Sequence, residues 1–129
     1  GEIVQQAAPA DLYDAPATPW VAGFVGDANL LVGVASGDAA TTPVGGVALR
    51  DQRSGEVQVL MRPEHLQVSG GDAGVVDLVE FSGHDTVYAV RLDEGVALTV
   101  RAAQAPTHAR GDRVAVTYAG PPAVAFPVA

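Results

Sequence analysis

The sequence predicts a mainly β chain in which a small closed or partly closed barrel follows two short helices. Three observations point to this class. From residue 29 onward, short apolar or alternating segments are separated by Gly, Asp and Pro. No long segment of helical periodicity interrupts them. The apolar content is mostly Val and Ala, with three Phe, three Tyr and one Trp, which suits thin β layers better than a large aromatic core.

The first 28 residues carry two helical signals, and we treat them as a region separate from the barrel. The first helix is expected to end at Pro16. The second has Thr18 as its candidate N-cap and Gly26 at its end. Its apolar face carries Trp20, Val21, Phe24 and Val25. Helices this short cannot form a core alone, so we expect this face to pack on the barrel or on a preceding domain. We take Trp20, Phe24 and Val25 as a candidate interface.

Eight strands are expected in residues 29–129, which we assign to a single OB-like domain. They are placed at residues 30–34, 43–49, 57–61, 75–81, 86–92, 96–101, 114–118 and 124–128. The segment between the first two is expected to be a polar turn. Pro63 ends the third strand because it has no N–H for a ladder hydrogen bond, and a turn is expected at Glu64 to Leu66. Eight short strands without a long helix are typical of a small barrel such as the OB-fold.

Composition excludes several classes of function. The formal net charge is −8, and the seven basic residues are all Arg and are scattered along the chain, which disfavours nucleic-acid binding. The absence of Lys excludes a phosphate-binding P-loop in this chain. The absence of Cys excludes disulfides and thiolate metal sites. No apolar stretch approaches the roughly 20 residues of a membrane span, and no signal peptide is evident, so we expect no membrane insertion.

Several spaced motifs share one family resemblance. The chain resembles the end of an ABC importer ATPase followed by its TOBE (transport-associated OB) domain. Arg62-Pro63-Glu64-His65-Leu66 is similar to the family signature R-P-E-x-[LI]. The other motifs are Gly1–Gln5, Pro9–Tyr13 with Pro16, Trp20–Gly26 with Asn29, Gly74–His84, Gly111–Val116 and Ala123–Phe126. Gly23 stands where the family often has a larger residue, and residues 36–55 match nothing specific.

The resemblance implies a role for the chain within a larger machine. It implies a homodimeric ATP-binding subunit, located in the cytoplasm and attached to the inner face of the membrane through the transporter's membrane subunits. The trailing domains would stabilise the dimer or receive regulatory signals. ATP and Mg²⁺ would bind in the ATPase domain, expected upstream of Gly1, so the resemblance implies no enzyme activity and no cofactor in this chain. Within the family, the loop at Phe81 to Asp85 looks more like importers of ferric iron than sugar importers.

Two of the histidines, His65 and His84, could be interpreted as metal ligands or as residues of ordinary turns. His84 and Asp85, in the loop formed by Ser82, Gly83, His84 and Asp85, could join Glu64 and His65 as imidazole and carboxylate ligands. We favour turn geometry instead, because hairpin loops use Gly and Asp for their backbone conformation. The dispersed acidic residues suggest no catalytic set.

The Arg62-Pro63-Glu64 motif also has two interpretations. Pro63 restricts Arg62 to extended geometry and leaves Glu64 to cap the next turn, which is a structural role that we favour over a signalling contact. A separate possibility for the whole chain is a free-standing module that binds molybdate-like oxyanions through backbone N–H groups and hydroxyls. The net charge argues against that possibility.

Overall fold

The computed structural model describes residues 28–128, which form seven strands and one short 3-10 helix at Pro63–His65. The strands are β1 (Asn29–Thr42), β2 (Gly45–Met61), β3 (Leu66–Phe81), β4 (Thr86–Leu92), β5 (Ala97–Ala102), β6 (Arg113–Tyr118) and β7 (Ala125–Pro127). The prediction of a mainly β chain is therefore confirmed. The two predicted helices and the interface residues Trp20, Phe24 and Val25 lie outside the described residues, and the division of the chain at residue 28 stays a prediction.

The strands form two antiparallel sheets. One has the order β1-β2-β7 and the other β5-β4-β3-β6. The inner face of each sheet carries apolar side chains at alternate positions, and these side chains share one core. Its most buried members include Leu31, Val57, Val59 and Met61 from the first sheet and Val76, Tyr88, Val90, Val100 and Val114 from the second. The arrangement is consistent with an OB-like fold built from open sheets.

A side-chain amide bridges the two sheets where no strand ladder joins them among the described residues. Asn29 is 7% exposed at the start of β1. Its Nδ2 donates to the carbonyl oxygens of Met61 and Thr99, at 3.1 Å and 2.9 Å, and its Oδ1 accepts from the Thr99 N–H at 2.8 Å. The amide thus pairs with the backbone of β5 as a neighbouring strand would. We conclude that Asn29 ties the start of β1 to the edge of the other sheet.

The expected polar turn after residue 34 is wrong. β1 continues to Thr42, and β2 combines the second and third predicted strands, so eight predicted strands become seven. Backbone hydrogen bonds hold this polar stretch in a ladder whatever its side chains are, which is why apolar alternation did not reveal it. The hairpin bends at Gly37, whose φ is 77°, with a register shift between Gly37 and Ala39.

The fourth predicted strand also begins too late. The expected turn is present as the 3-10 helix Pro63–His65, but Leu66 already starts β3 and pairs with Tyr118 of β6. The ladder from β3 to β6 is interrupted between Gly70 and Gly74. Glycines and polar residues in this stretch weaken the alternating pattern, so the sequence shows only the apolar second half of the strand.

Candidate functional site

The Arg62-Pro63-Glu64 motif forms the corner between the two sheets. Arg62 is extended, with φ −74° and ψ 146°, and Pro63 opens the 3-10 helix. The His65 N–H donates to the Arg62 carbonyl oxygen at 3.0 Å, and the Ala119 N–H donates to the His65 carbonyl oxygen at 2.7 Å. The corner is therefore held against the segment that follows β6. β2 ends at Met61, which agrees with the prediction that the strand stops at Pro63, while the roles of Arg62 and Glu64 stay predictions.

A cleft of about 410 Å³ opens beside this corner. It is lined by Leu49, Arg50, Leu60, Arg62, His65, Tyr118, Pro121, Pro122, Ala123 and Val124. Arg62 is 3% exposed, whereas Arg50 lies on the surface. None of these lining residues carries a carboxylate, although the sequence has 15 acidic residues and only seven arginines. Among the described lining residues, the charged and titratable side chains are therefore Arg50, Arg62, His65 and Tyr118.

One wall of the cleft is closely packed. The rings of His65 and Tyr118 meet edge to face with centroids 6.2 Å apart, and the Tyr118 hydroxyl donates to the Pro121 carbonyl oxygen at 2.5 Å. A Cβ at Gly120 would lie 2.7 Å from Cβ and Cγ of His65, so only glycine fits there without a shift. Burial raises the pKa of the Tyr118 hydroxyl. The Tyr118 hydroxyl is therefore neutral at physiological pH and can donate its hydrogen bond to Pro121.

The two charged residues of the motif face different spaces. Glu64 lines a second, more polar cleft of about 470 Å³, together with Arg101, Gln104 and Thr107. There the Tyr88 hydroxyl accepts from the Thr107 N–H at 2.9 Å. The structure therefore does not bring Arg62 and Glu64 together in one site. Each cleft can donate hydrogen bonds, and the first carries the greater share of guanidinium and imidazole groups, which suit an anion.

The loop Ser82 to Asp85 is a compact hairpin turn. The Ser82 N–H and hydroxyl both donate to the Asp85 carbonyl oxygen, at 3.0 Å and 3.1 Å, while the Asp85 N–H donates to the Ser82 hydroxyl at 3.4 Å. Gly83 has a φ of 95°, a conformation that favours glycine. His84 is exposed at the tip. The loop's polar groups thus serve its own geometry, which agrees with the turn interpretation.

The three histidines occupy separate surroundings. His65 lines the first cleft, and His84 lies at the hairpin tip. The ring of His108 meets the ring of Tyr88 edge to face, with the two centroids 6.4 Å apart. Within residues 28–128 no group of three or more His, Cys, Asp and Glu is placed to hold a metal ion. The arrangement of Glu64, His65, His84 and Asp85 therefore gives no metal centre in the described part of the chain.

Sequence reasoning missed an ion-pair cluster at the opposite end of the second sheet. The Arg113 guanidinium donates to Asp72 Oδ1 at 2.7 Å and to both carboxylate oxygens of Asp93, at 2.9 Å and 2.5 Å. Hydrogen bonding from Arg113 lowers the pKa of Asp93 below its ordinary value. All three groups are exposed, so the cluster contributes little stability. Their separation in sequence leaves no local signal that could have revealed it.

Comparison with known proteins identifies the family. A family model described as the TOBE domain matches residues 59–126, which span the 3-10 corner, the second sheet and the first two residues of β7. The chain belongs to the TOBE domain family. The match confirms the resemblance drawn from the sequence motifs, and it places Arg62, His65 and Tyr118 of the first cleft inside the TOBE domain.

Several curated relatives match almost all of the chain. A spermidine/putrescine import ATP-binding protein of Ruegeria pomeroyi is 33% identical over 93% of this chain and 37% of its own length. An Fe(3+) ions import ATP-binding protein of Rhodococcus jostii is 33% identical over 99% of the chain and 39% of its own length. An sn-glycerol-3-phosphate import ATP-binding protein of Cereibacter sphaeroides is 35% identical over 90% of the chain and 35% of its own length.

The chain therefore spans well under half of the length of these relatives, and the TOBE domain lies within the matched part. Among the described residues of the TOBE domain, no helix has the length and apolar character needed to cross a membrane.

Proposed function

We propose that this chain is the regulatory and dimerisation region of the ATP-binding subunit of an ABC importer. The observation that carries the proposal is the pattern of similarity: relatives named as import ATP-binding proteins match 90–99% of this chain but only 35–39% of their own length. If this chain is the TOBE-containing part of a larger ATP-binding subunit, it should match almost entirely while covering only a minor part of each relative. The parent subunit would work as a homodimer on the cytoplasmic face of the membrane, bound to the transporter's membrane subunits.

We assign no catalysis and no cofactor to the chain itself. A P-loop needs a lysine at the β and γ phosphates, and this sequence has none. ATP and Mg²⁺ would bind in the part of the subunit that corresponds to the unmatched length of the relatives. The TOBE domain would act on that chemistry only by holding the dimer together or by passing on a regulatory contact through the Arg62-Pro63-Glu64 corner.

For the transported solute we propose ferric iron. The motivation is the loop from Phe81 to Asp85 and the Fe(3+) import relatives, three of which, from Rhodococcus jostii, are 33–34% identical over 93–99% of the chain. Relatives named for spermidine/putrescine and glycerol phosphate are as similar to this chain as the Fe(3+) relatives are. Measurements of solute uptake must therefore distinguish between these solutes. Cells lacking the parent gene should take up less radioactive ferric iron. Normal iron uptake with reduced uptake of a polyamine or a glycerol phosphate would contradict this assignment.

Two measurements test the regulatory and dimerising role. Sedimentation equilibrium of the full chain should show a monomer–dimer equilibrium, and a strict monomer at high concentration would refute dimerisation by this region. Arg50→Gln in the parent subunit changes the exposed side of the first cleft without touching the core. If the cleft is a regulatory contact, this variant should alter the coupling of ATP hydrolysis to transport, whereas Arg110→Gln, on an exposed loop residue, should not.

A second candidate function is the binding of an oxyanion by the TOBE domain. The observation that favours it is the first cleft, where the described lining includes the guanidinium groups of Arg50 and Arg62 and the imidazole of His65. Titration calorimetry with molybdate, tungstate and sulfate tests it. Micromolar binding that is weakened by Arg50→Gln but not by Arg110→Gln would support this function. An absence of heat with all three anions would refute it and would leave the regulatory proposal standing.

A further inference from the structure

The second cleft has a lining of mixed hydrogen-bonding groups. Its volume is about 470 Å³, which lies within the range of roughly 300–1,000 Å³ that is common for small-molecule sites. Apart from Glu64, the exposed polar residues that line it are Gln67, Ser69, Arg101, Gln104, Thr107 and Thr117. All of these except Arg101 carry an amide or a hydroxyl, and such groups both donate and accept hydrogen bonds. The lining therefore matches a molecule whose own polar groups do both.

The charges of the second cleft are of both signs. Among its described lining residues, the charged ones are Glu64 and Arg101. An ion bound here would meet a charge of its own sign as well as an opposite one, and an anion would also meet the net charge of −8 of the chain. The described lining of the first cleft instead includes two guanidinium groups and an imidazole. The second cleft therefore favours an uncharged ligand.

The loop at one rim of the second cleft is held by two buried side chains of β4. The Thr86 hydroxyl donates to the Gln104 carbonyl oxygen at 2.6 Å, and the Thr107 N–H donates to the Tyr88 hydroxyl at 2.9 Å. Thr86 and Tyr88 alternate with less buried residues along β4, so both point into the core. The side chains of Gln104 and Thr107 therefore stand on a backbone that needs little further ordering when a ligand binds.

The Tyr88 hydroxyl has hydrogen-bonding capacity left at the base of the second cleft. Its oxygen accepts from the Thr107 N–H, and within the described part of the chain its own proton has no acceptor. A buried donor without an acceptor costs free energy, so a ligand oxygen at this point would be stabilised. Tyr88 is only 1% exposed, so the group that reaches it must be as small as a hydroxyl.

Apolar atoms complete the lining of the second cleft. They come from Leu66 and Val68 on β3 and from Ala102 and Ala103 at the end of β5. Leu66 is buried, Val68 and Ala102 are half-buried, and Ala103 is exposed. A sugar ring carries C–H groups on its faces and hydroxyls around its edge. Such a molecule therefore fits a cleft whose polar groups are interspersed with small apolar ones.

We propose that the second cleft binds an uncharged polyhydroxylated molecule about the size of a monosaccharide. Its hydroxyls exchange hydrogen bonds with Gln67, Gln104 and Thr107, and one of them accepts the proton of the Tyr88 hydroxyl. This inference goes beyond the proposed function and does not depend on it, because it rests on the chemistry of one cleft. Under the proposed regulatory role, such a ligand would act on the TOBE domain away from the first cleft.

Nuclear magnetic resonance titration of the full, ¹⁵N-labelled chain tests the proposal. The probes are D-glucose and myo-inositol, which are uncharged and polyhydroxylated. At least one of them should give saturable amide shifts that centre on residues 66–69 and 101–107, at roughly millimolar concentration, as is typical of so small a ligand. Sodium sulfate is the comparison anion and should leave these amides unshifted.

Two variants locate the contacts. Gln104→Ala removes an amide of the rim but keeps the carbonyl oxygen to which Thr86 donates, so the affinity should fall several-fold in an otherwise unchanged spectrum. Tyr88→Phe keeps the buried ring, removes the hydroxyl and should also weaken binding. Gln52→Ala is the matched control, because Gln52 is an exposed amide on β2 outside the cleft, and it should bind as the unmodified chain does.

Four results would overturn the proposal. The first is the absence of a saturable shift with both uncharged probes. The second is a set of shifts that centres on Arg50 and Tyr118, because it would place the binding in the first cleft. The third is saturable binding of sulfate at residues 101–107, because the ligand class would then be wrong. The last is undiminished affinity in both the Gln104→Ala and the Tyr88→Phe variants.

Discussion

Removing the Asn29 side chain should destabilise the two-sheet domain strongly for so small a change. Asn29→Ala deletes three hydrogen bonds, two of them to the backbone of Thr99 and one to the Met61 carbonyl oxygen. Each such bond contributes about 1 kcal/mol net, so their sum is about 3 kcal/mol. Asn29 is almost fully buried, so water cannot simply replace the amide. A typical domain has a free energy of unfolding of about 5–15 kcal/mol, so the loss is a large fraction of it.

Urea unfolding of the full chain, followed by far-UV circular dichroism, measures this loss. The transition midpoint should fall while the slope stays constant, since the surface exposed on unfolding is unchanged. Asn29→Asp retains the acceptor for the Thr99 N–H but has no donors, so it should also destabilise. Gln52→Ala, at an exposed position of β2, is the control. A loss below about 0.5 kcal/mol for Asn29→Ala would refute the bridging role.

Two further changes test the packing and the charges of the second sheet. Gly74→Ala puts a Cβ 2.6 Å from a backbone oxygen of β4 and should cost about 1–3 kcal/mol in urea unfolding, whereas Gly70→Ala, with open space around it, should cost little. Arg113 lowers the pKa of Asp93 in the folded chain, so the Arg113–Asp93 pair stabilises the fold at pH values above 3.8, the ordinary pKa of the carboxyl group. This contribution is lost as the pH falls through the lower pKa that Asp93 has in the folded chain. Asp93→Asn should flatten the acid limb of the pH–stability curve; an effect equal to that of exposed Asp38→Asn would contradict the pairing.

The sequence predicted best where apolar alternation is local. The strand expected at residues 86–92 is observed as Thr86–Leu92, and the one expected at 96–101 is observed as Ala97–Ala102. Pro63 marked the end of β2 because a missing N–H is a property of the residue itself. The turn interpretation of Ser82 to Asp85 was likewise correct, since Gly and Asp act on their own backbone.

The candidate cleft could be predicted only in part. Arg62 was singled out by its motif, but Arg50, Tyr118 and Gly120 were not, because their meeting depends on β2 and β6 reaching the same corner. Arg62 and Glu64 are two residues apart in the motif, but Arg62 lines the first cleft and Glu64 lines the second. A turn can place residues that are close in sequence in different clefts, and a sheet can bring residues that are distant in sequence into the same cleft.

The β class, the family and several turns of this chain could be predicted from its residues alone. Three features became visible only in the folded chain: the polar stretch around Gly37 is a strand, Asn29 bridges two sheets, and Leu30, Val32 and Val34 face outward. The difference follows from the sequence distance over which each interaction acts. Alternation and turn chemistry act between neighbours along the chain, while ladder pairing, burial and side-chain bridges depend on which distant segment lies opposite.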